Sequence, residues 1–358
     1  MAAMETSGTK PTARKLLAWY DRNRRELAWR ALPGEPVDPY RVWLSEIMLQ
    51  QTTVAAVTPY FEKFLGLWPD VESLAAASRD EVLAAWAGLG YYSRARNLHA
   101  CADSICKEWH GEFPRTETDL LTLPGVGAYT AAAIASIAFG QPAAVVDGNV
   151  ERVLTRQFAL KTPLPKVKGE VKEQVAKLVP KSRPGDFAQA TMDLGATICT
   201  PRSPKCPQCP WKASCQAFAM GTPEAFPVRP PKKAKPTRRG IAWRVWREDG
   251  AVLLEQRPEK GLLAAMWQTP TVEWKDESAR AAFAAKRATG SAPLNADWTR
   301  VPGLVLHTFT HFHLEIAVYE ATVSRGENPE RGQFVPPPNL EKYALPSVMQ
   351  KVLAHGRD

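Results

Sequence analysis

Apolar positions in the first part of the chain follow the spacing of helices. Between residues 13 and 219, apolar side chains recur at intervals of three and four, helix-forming residues dominate, and strand-like alternation is almost absent. Such spacing aligns apolar side chains along one face of a helix, where they can pack against a core. The pattern therefore predicts an all-α region.

Beyond residue 240 the pattern changes to short runs rich in β-branched and aromatic residues. These runs predict strands at 241–246, 252–255, 301–310 and 314–323, and helical spacing returns near 278–288 and 347–354. A mixture of strands and helices over about 120 residues predicts a separate α+β domain. The predicted fold class is therefore multidomain, an all-α part followed by an α+β part.

The two regions are joined by a segment of distinct composition. Between Gly221 and Gly240 it contains five prolines and a basic cluster, Lys232, Lys233, Lys235, Arg238 and Arg239. Such a composition stays extended and builds no core, so we interpret the segment as a linker. The predicted domains are residues 1–220, a linker at 221–239, and residues 240–358.

Composition and charge narrow the class of partner. The 358 residues include 46 Lys and Arg against 37 Asp and Glu, a formal net charge of +9, and 45% are hydrophobic. The apolar content excludes extensive disorder, and the positive charge favours a polyanionic partner. The first twenty residues hold no continuous apolar stretch, and no run of eighteen apolar residues occurs anywhere. We therefore expect a cytoplasmic protein with no membrane partner.

Residues 119–139 read DLLTLPGVGAYTAAAIASIAF, which predicts a short helix, a Leu-Pro-Gly-Val-Gly turn and an alanine-rich helix. The segment resembles a helix-hairpin-helix motif. Because Gly125 and Gly127 lack Cβ atoms, the backbone can turn sharply and present N–H groups at a helix N-terminus, where the helix dipole favours a phosphate. A glycine-rich turn that only joins two packed helices is the alternative.

Two carboxylates stand at positions suited to acid and base chemistry. Asp147 precedes a helix in VVDGNVERV, where it is expected to cap the helix and stay ionised, because N–H groups and the positive helix end stabilise the anion. Glu46 adjoins the apolar stripe of Trp43, Ile47 and Met48, so burial is expected to raise its pKa and make it a usable general acid. A solvated glutamate and a simple helix cap are the alternatives.

Together the two carboxylates match the chemistry of glycosidic cleavage. In that reaction one carboxyl group protonates the leaving group, and the other stabilises an oxocarbenium-like cation. The separation of the two groups is a property of the fold.

Four cysteines lie within seventeen residues, with the spacing Cys199-x6-Cys206-x2-Cys209-x5-Cys215. In a chain without a secretory signal, this crowding predicts a metal site before disulfides. Four thiolates suit either tetrahedral zinc or an iron-sulfur cluster. Because the common zinc ribbon uses two Cys-x2-Cys pairs and this loop has one, we favour a [4Fe-4S] cluster held by residues 199–215.

Four segments, LPGVGAYTA, VVDGNVERV, WLSEIMLQQT and the cysteine loop, together resemble the endonuclease III superfamily. Within it the match is closest to the adenine DNA glycosylases of the MutY type, from about residue 15 to about residue 353. In the superfamily's glycosylase-lyases a lysine nucleophile stands two residues after the second hairpin glycine, and here that position is Tyr129. Without the amine, no Schiff base is expected from this site.

The resemblance implies roles for the catalytic residues. It implies that Glu46 protonates adenine at N7 and also handles the water, while Asp147 stabilises or captures the sugar cation. Tyr129 and Asn149 would assist Asp147.

The resemblance also implies contacts with the flipped base and the opened stack. It implies an adenine pocket formed by Trp29, Arg30 and Val54, and it places Gln51 and Tyr91 in the stack beside the lesion. Base chemistry requires flipping, and an aromatic side chain can fill the vacated space. Plain core packing of Trp29, Val54 and Tyr91 is the alternative.

The C-terminal domain resembles the nudix-like module with which this family reads 8-oxoguanine. A nudix hydrolase holds Mg²⁺ through glutamates on one helix turn, but residues 280–290 contain no carboxylate, so hydrolysis is not expected. The family's lesion-reading loop, usually Phe-Ser-His, corresponds here to Phe309, Thr310 and His311. A strand with a solvated polar face is the alternative.

These observations predict a monomeric, monofunctional DNA glycosylase, a hydrolase of base excision repair. Its partner would be double-stranded DNA that contains adenine opposite 8-oxoguanine or guanine. A glycosylase-lyase acting on oxidised pyrimidines and a non-catalytic iron-sulfur DNA-binding protein are the alternatives. A third, a nucleotide pyrophosphohydrolase in the C-terminal half, is opposed by the missing carboxylates.

Overall fold

A computed structural model of the chain describes residues 10–231 and 234–357. The chain divides into two compact units, which we call unit 1 (Met1–Ala75 and Ala100–Lys232) and unit 2 (Ala76–His99 and Lys233–Asp358). The segment Ala76–His99 thus belongs to unit 2, although it lies within the region predicted as one helical domain. The predicted domain bounds stay a prediction.

Helices account for the regular structure of the first region. Residues 13–219 contain no strand, so the predicted all-α region is confirmed. Within the described residues, no helix is both long enough and apolar enough to cross a membrane. In chain order the helices are α1 (Ala13–Asn23), α2 (Pro39–Leu49), α3 (Val54–Leu67), α4 (Val71–Ala76), α5 (Arg79–Ala85), α6 (Ser93–Glu108), α7 (Glu117–Leu120), α8 (Ala128–Phe139), α9 (Gly148–Gln157), α10 (Lys168–Leu178), α11 (Pro184–Thr197), α12 (Gln216–Ala219), α13 (Ala279–Ala282), α14 (Ala285–Gly290) and α15 (Ser347–Ala354).

Helix α8 lies at the centre of unit 1 and packs against α2, α7 and α11. Its sequence, AYTAAAIASIAF, is almost entirely small and apolar, so neighbouring helices can approach on several sides. The approach is closest at Gly185 of α11, where an added Cβ would lie 2.6 Å from the carbonyl oxygen of Ser136. Small residues at this crossing therefore fix how α8 and α11 pack.

Unit 2 is built on a mixed sheet with the strand order β3-β2-β1-β6-β4, in which β5 also pairs with β6 and β7 with β2. The long strands β1 and β6 run parallel, from Thr237 beside His313 to Arg247 beside Val323, and the other pairs are antiparallel. The strands are β1 (Thr237–Arg247), β2 (Val252–Gln256), β3 (Trp267–Gln268), β4 (Thr299–Arg300), β5 (Val305–Thr308), β6 (His313–Val323) and β7 (Gln333–Val335).

The sequence pattern located the long strands of unit 2 better than the short ones. The predicted α+β character is confirmed, but the run predicted at 301–310 contains only β5, since Pro302 and Gly303 separate it from β4. Gly303 has φ +84, a left-handed conformation that interrupts an extended strand. The stretch predicted as one helix near 278–288 forms the two short helices α13 and α14.

The segment predicted as an extended linker at 221–239 is more ordered than expected. Phe226 is buried, its carbonyl accepts a hydrogen bond from Arg156, and the carbonyl of Val228 accepts one from Leu164. Strand β1 already begins at Thr237, so Arg238 and Arg239 belong to the sheet. The prediction overlooked that a polar segment can be held at its two ends by the domains it joins. Of the predicted basic cluster, Lys232 and Lys233 lie outside the described residues.

Candidate active site

Glu46 is held inside unit 1 by helix α2. The helix begins after the capping residue Asp38 and has Pro39 in its first turn, and eight of its eleven residues are buried. The predicted stripe of Trp43, Ile47 and Met48 is confirmed as core. Glu46 itself is only 7% exposed, so the expected burial of this carboxyl group is confirmed.

Burial determines the protonation of Glu46. Desolvation, helped by the negative charge of Asp147, raises the pKa of Glu46 to about 7 against the opposing effects of a hydrogen bond from Tyr129 and the charge of Arg30. A carboxyl group with a pKa near 7 is partly protonated at neutral pH and can therefore deliver a proton. The geometry thus suits Glu46 to the predicted role of general acid, which stays a prediction.

Tyr129 lies close enough to both carboxylates to be influenced by their charges. It lies in the first turn of α8, half-buried, and its hydroxyl is hydrogen-bonded to Glu46. Burial, and then the charges of Glu46 and Asp147, raise the pKa of Tyr129 well above its usual range. Tyr129 therefore stays a neutral hydrogen-bond donor and supplies no amine.

Asp147 caps helix α9, as the sequence predicts. Its carboxylate accepts hydrogen bonds from the backbone N–H of Val150 at 2.7 Å and from the amide of Asn149 at 2.8 Å. Asp147 is partly exposed, so the anion stands at the edge of the buried site. The two donors fix the Asp147 carboxylate at the N-terminus of α9, where it can face a developing cation.

A chain of hydrogen bonds connects Asp147 to the cysteine loop. Arg152 donates to the side-chain oxygen of Asn149, to the carbonyl of Gly195 and to the carbonyl of Cys199, each at 2.8 Å. The Asn149 amide in turn donates to Asp147. Gly195 lets α11 approach, since an added Cβ there would lie 2.6 Å from the Cβ of Asn149. The orientation of the Asp147 carboxylate therefore depends on Arg152.

A cavity of about 550 Å³ opens beside Glu46. Its lining includes all three residues predicted for the adenine pocket, Trp29, Arg30 and Val54. Tyr129, Asp147 and Asn149 do not line this cavity, although Tyr129 is hydrogen-bonded to Glu46, which does. A cavity of this size falls in the range of small-ligand sites and has room for a purine base.

Asp193, which the sequence did not indicate, does not line the cavity itself but holds Arg30 of its wall through a buried ion pair. Arg30 forms a two-pronged ion pair with the fully buried Asp193 of α11, at 2.7 and 2.8 Å, and Arg25 pairs with the same carboxylate. Burial opposes the charge on Asp193, but these arginines keep its pKa low. Gln189, Leu49 and Ser45 complete the wall near Glu46. No sequence pattern separates Asp193 from the other polar residues of α11, such as Asp186 and Gln189.

The hairpin glycines stand as the motif predicts. Gly125 has φ +75, a conformation that favours glycine, and Gly127 precedes the first residue of α8 with no side chain capping it. The N–H groups of this first turn are thus open to a phosphate, and binding there stays a prediction. Gln51, another residue predicted to contact DNA, is exposed just after α2 with φ +58.

The four cysteines of the loop are partly buried and interact with one another. Burial raises the pKa of Cys209 to about 12, and the charges of the other three thiolates raise it further. Ionised together, these thiols require a cationic core to compensate them, which the iron of a cluster provides. The guanidinium of Arg156, buried and 3.4 Å from Cys199 Sγ, adds positive charge beside the donor set. The residues therefore fit an iron-sulfur cluster.

Across residues 10–231 and 234–357, no three His, Cys, Asp or Glu side chains are grouped as a single metal ion requires.

Tyr91 lies in a loop of unit 2 that Arg94 holds in place. It is 47% exposed with φ +48, a costly conformation for a bulky residue, so the alternative of core packing is wrong for this side chain. The buried guanidinium of Arg94 lies 5.0 Å from the Trp86 ring and 5.6 Å from the Tyr91 ring, and it donates to the carbonyls of Leu89 and Gly90.

The residues predicted to read the lesion meet Tyr91 in the same unit. The Tyr91 hydroxyl lies 2.7 Å from the hydroxyl of Thr310. Tyr91, Phe309, Thr310 and His311 all line a cavity of about 410 Å³. Unit 2 thus gathers these four residues at one cavity.

Three family models match parts of this chain. Residues 44–181 match the HhH-GPD superfamily of base excision DNA repair proteins, residues 199–215 the iron-sulfur binding domain of endonuclease III, and residues 241–355 the NUDIX domain. Fold and site therefore define a base excision DNA repair protein of the helix-hairpin-helix class, with an iron-sulfur loop and a nudix-like domain.

Relatives narrow the class further. The chain is 40% identical over 357 residues to the adenine DNA glycosylase of Homo sapiens, covering 85% of this chain and 65% of that protein. It is 39% identical over 361 residues to that of Mus musculus, covering 87% of this chain and 70% of that protein. Among solved structures, a thermostable thymine-DNA glycosylase is similar with TM-score 0.53 and 32% identity, over 58% of this chain and 95% of that one.

The chain belongs to the adenine DNA glycosylase family. It spans slightly less than two thirds of the human relative. Family membership confirms the predicted fold class, the predicted enzyme class of DNA N-glycosylase and the predicted [4Fe-4S] cluster. The individual residue roles stay predictions.

Proposed function

We propose that this chain hydrolyses the N-glycosidic bond of adenine mispaired with 8-oxoguanine or guanine in duplex DNA and leaves the strand intact. The observation that carries the proposal is Glu46, a buried acid with a pKa near 7 beside a cavity with room for a purine. Asp147 lies close enough for its charge to act on both Glu46 and Tyr129. A neutral acid and an anion side by side are what departure of a base from a sugar requires.

Bond cleavage follows from these protonation states. The adenine is flipped out of the duplex into the cavity lined by Trp29, Arg30 and Val54. Glu46 transfers its proton to N7 of adenine, the electrons of the C1′–N9 bond pass to the base, and neutral adenine leaves. The sugar is left as an oxocarbenium-like cation, which the Asp147 carboxylate stabilises.

Hydrolysis completes the cycle. Water adds to C1′ of the cation, and the carboxylate of Glu46 accepts the proton that water loses, which regenerates the acid. Asn149 and Val150 hold the Asp147 carboxylate in place through their hydrogen bonds. Because Tyr129 stands where a lyase carries its lysine, no covalent amine intermediate forms and the strand is not cut at this step.

We assign recognition of the base opposite adenine to unit 2. Thr310 and His311 stand exposed at the turn between β5 and β6, beside Tyr91. Hydroxyl and imidazole groups can hydrogen-bond the oxidised edge of a purine. One chain supplies every residue of the proposed catalytic set, which supports a monomer. The cytoplasmic location stays a prediction.

The test is a glycosylase assay on duplexes that pair adenine with 8-oxoguanine, guanine, cytosine or thymine. Release of adenine opposite 8-oxoguanine and guanine, with strand scission only after alkali, is expected. Borohydride trapping of a covalent complex, or release of oxidised pyrimidines instead, would favour a glycosylase-lyase. Binding without release of any base would favour the non-catalytic alternative.

A further inference from the structure

The turn between β5 and β6 forms the tip of a hairpin in unit 2. Below it, Thr308 pairs with His313, and the backbone N–H of Phe309 donates to the carbonyl of Phe312 at 2.9 Å. Thr310 and His311 are exposed at the tip. The tip is therefore a fixed projection rather than a loose loop.

Two lysines from distant parts of the chain hold this hairpin. Lys235, just before β1, donates from Nζ to the carbonyl of Phe309, and Lys351, on α15, donates from Nζ to the carbonyl of Leu306, each at 3.0 Å. The two carbonyls lie three positions apart in the chain, roughly 10 Å along an extended strand. The two ammonium groups thus border the hairpin at different points.

Both ammonium groups have N–H donors and positive charge that are available to a ligand. Each carries three N–H donors, of which the hairpin takes one. Neither lysine forms an ion pair within the described residues, whereas nearby Arg239 is neutralised by Glu315 at 2.7 Å. Both lysines are exposed, and the charge of Lys351 helps to lower the pKa of His307, which burial lowers first. The hairpin is therefore flanked by uncompensated positive charge.

We propose that Lys235 and Lys351 bind phosphates of the lesion-bearing strand, on the two sides of the nucleotide that the hairpin tip contacts. This inference rests on the proposed function, because that function brings the tip to 8-oxoguanine. A phosphate is the group expected here, since it accepts hydrogen bonds and carries the opposite charge without demanding a particular base. The two lysines would fix the register of the tip on the strand.

Lys235→Gln and Lys351→Gln in the full chain test the proposal, because glutamine keeps an N–H donor for the hairpin carbonyl and removes the charge. Affinity is measured against salt concentration on a duplex with 8-oxoguanine opposite a non-hydrolysable 2′-fluoro adenosine. Each variant is expected to lower the magnitude of the salt slope by about 0.9. When the salt concentration is raised from 50 to 200 mM, the affinity of each single variant should therefore fall by a factor about threefold smaller than that of the wild type. Lys342→Gln, an exposed lysine of the same unit, is the matched control and should leave the slope unchanged.

Neutral methylphosphonate linkages locate the contact. Placed on both sides of 8-oxoguanine, these linkages should lower the affinity of the wild type by about the same factor as the two lysine substitutions do together. They should lower the affinity of the double variant no further. Placed around the adenosine analogue, they should weaken both proteins equally. Unchanged salt slopes, or additive losses on the lesion strand, would overturn the proposal. A lower melting temperature with an unchanged slope would show that the lysines only support the hairpin and would equally overturn it.

The assay does not depend on base release. If the wild type binds the analogue duplex but releases no adenine from the matching unmodified duplex, the proposed function is contradicted. The lysine contacts can still be measured in that case. Wild type that releases adenine while both variants keep the full salt slope would contradict only the lysine contacts.

Discussion

Glu46 shows how one buried residue sets the chemistry of the site. Its carboxyl group is almost fully enclosed, and burial raises its pKa to about 7 against the opposing hydrogen bond from Tyr129. The same sequence on an exposed helix face would be ionised at neutral pH and could not act as an acid. The raised pKa of Glu46 therefore follows from the packing of α2.

The first prediction concerns the pH dependence of adenine release. Since the reaction uses protonated Glu46, the single-turnover rate at saturating enzyme should fall as the pH rises through about 7. Glu46→Gln should lower the rate by at least about a hundredfold and remove this fall. Rates between pH 5.5 and 9 on a duplex with adenine opposite 8-oxoguanine provide the measurement. A wild-type rate that increases across this range would contradict the assignment.

A second prediction concerns stability. The pKa of Glu46 is higher in the folded chain, so the folded state retains a proton that the unfolded state has lost, and stability decreases as the pH rises towards 7. Relative to Glu46→Gln, the wild type should lose about 2.5 kcal/mol of unfolding free energy between pH 5 and pH 8. Denaturant unfolding of both proteins, followed by the absorbance of the cluster, measures the difference. Equal pH dependence of the two proteins would refute the burial argument.

Sequence and structure agree on these residues to different extents. Glu46 and Asp147 were predictable because each depends on local features, an apolar stripe and a helix cap. The pairing of Arg30 with Asp193 was not, because 163 residues separate them and only the packing of α11 brings them together. Long-range pairs of this kind leave no periodic signal.

At the scale of elements, the crossing of α8 and α11 supports the cavity. The third prediction is that Gly185→Ala destabilises the chain by about 1 to 3 kcal/mol, because the new Cβ would meet the backbone of Ser136. Gly169→Ala on α10 is the control, since its Cβ meets nothing within 4 Å and alanine is the better helix former. Chemical denaturation of both variants tests the contrast. Equal stability of the two would show that the crossing tolerates a larger residue.

The fourth prediction concerns the connection between α9 and the cysteine loop. Arg152→Gln should break the hydrogen bonds to Asn149 and Cys199, and adenine release should fall by about tenfold or more because Asp147 loses its orientation. Iron content and cluster absorbance are measured beside the rate, with the exposed Arg22→Gln as the control. Loss of activity only in proportion to loss of iron would mean that Arg152 acts on the cluster alone.

At the scale of the whole molecule, the order of domains was predictable and their bounds were less so. The change from helical spacing to strand-rich runs marks the second fold. By contrast, Ala76–His99 has helical spacing like its neighbours, yet its Arg79 and Arg96 bind Glu259 and the carbonyl of Ala264. Spacing identifies an element, and the partner of that element depends on contacts distant in sequence.

The central claim is that Glu46 and Asp147 act together on one adenine nucleotide. The most direct measurement is the single-turnover rate of adenine release opposite 8-oxoguanine for the wild type, Glu46→Gln, Asp147→Asn and the double variant. Each single variant should lose at least about a hundredfold, and the double variant should lose little more, because residues that act as a unit are not additive. A single variant that releases adenine at the wild-type rate would contradict the claim.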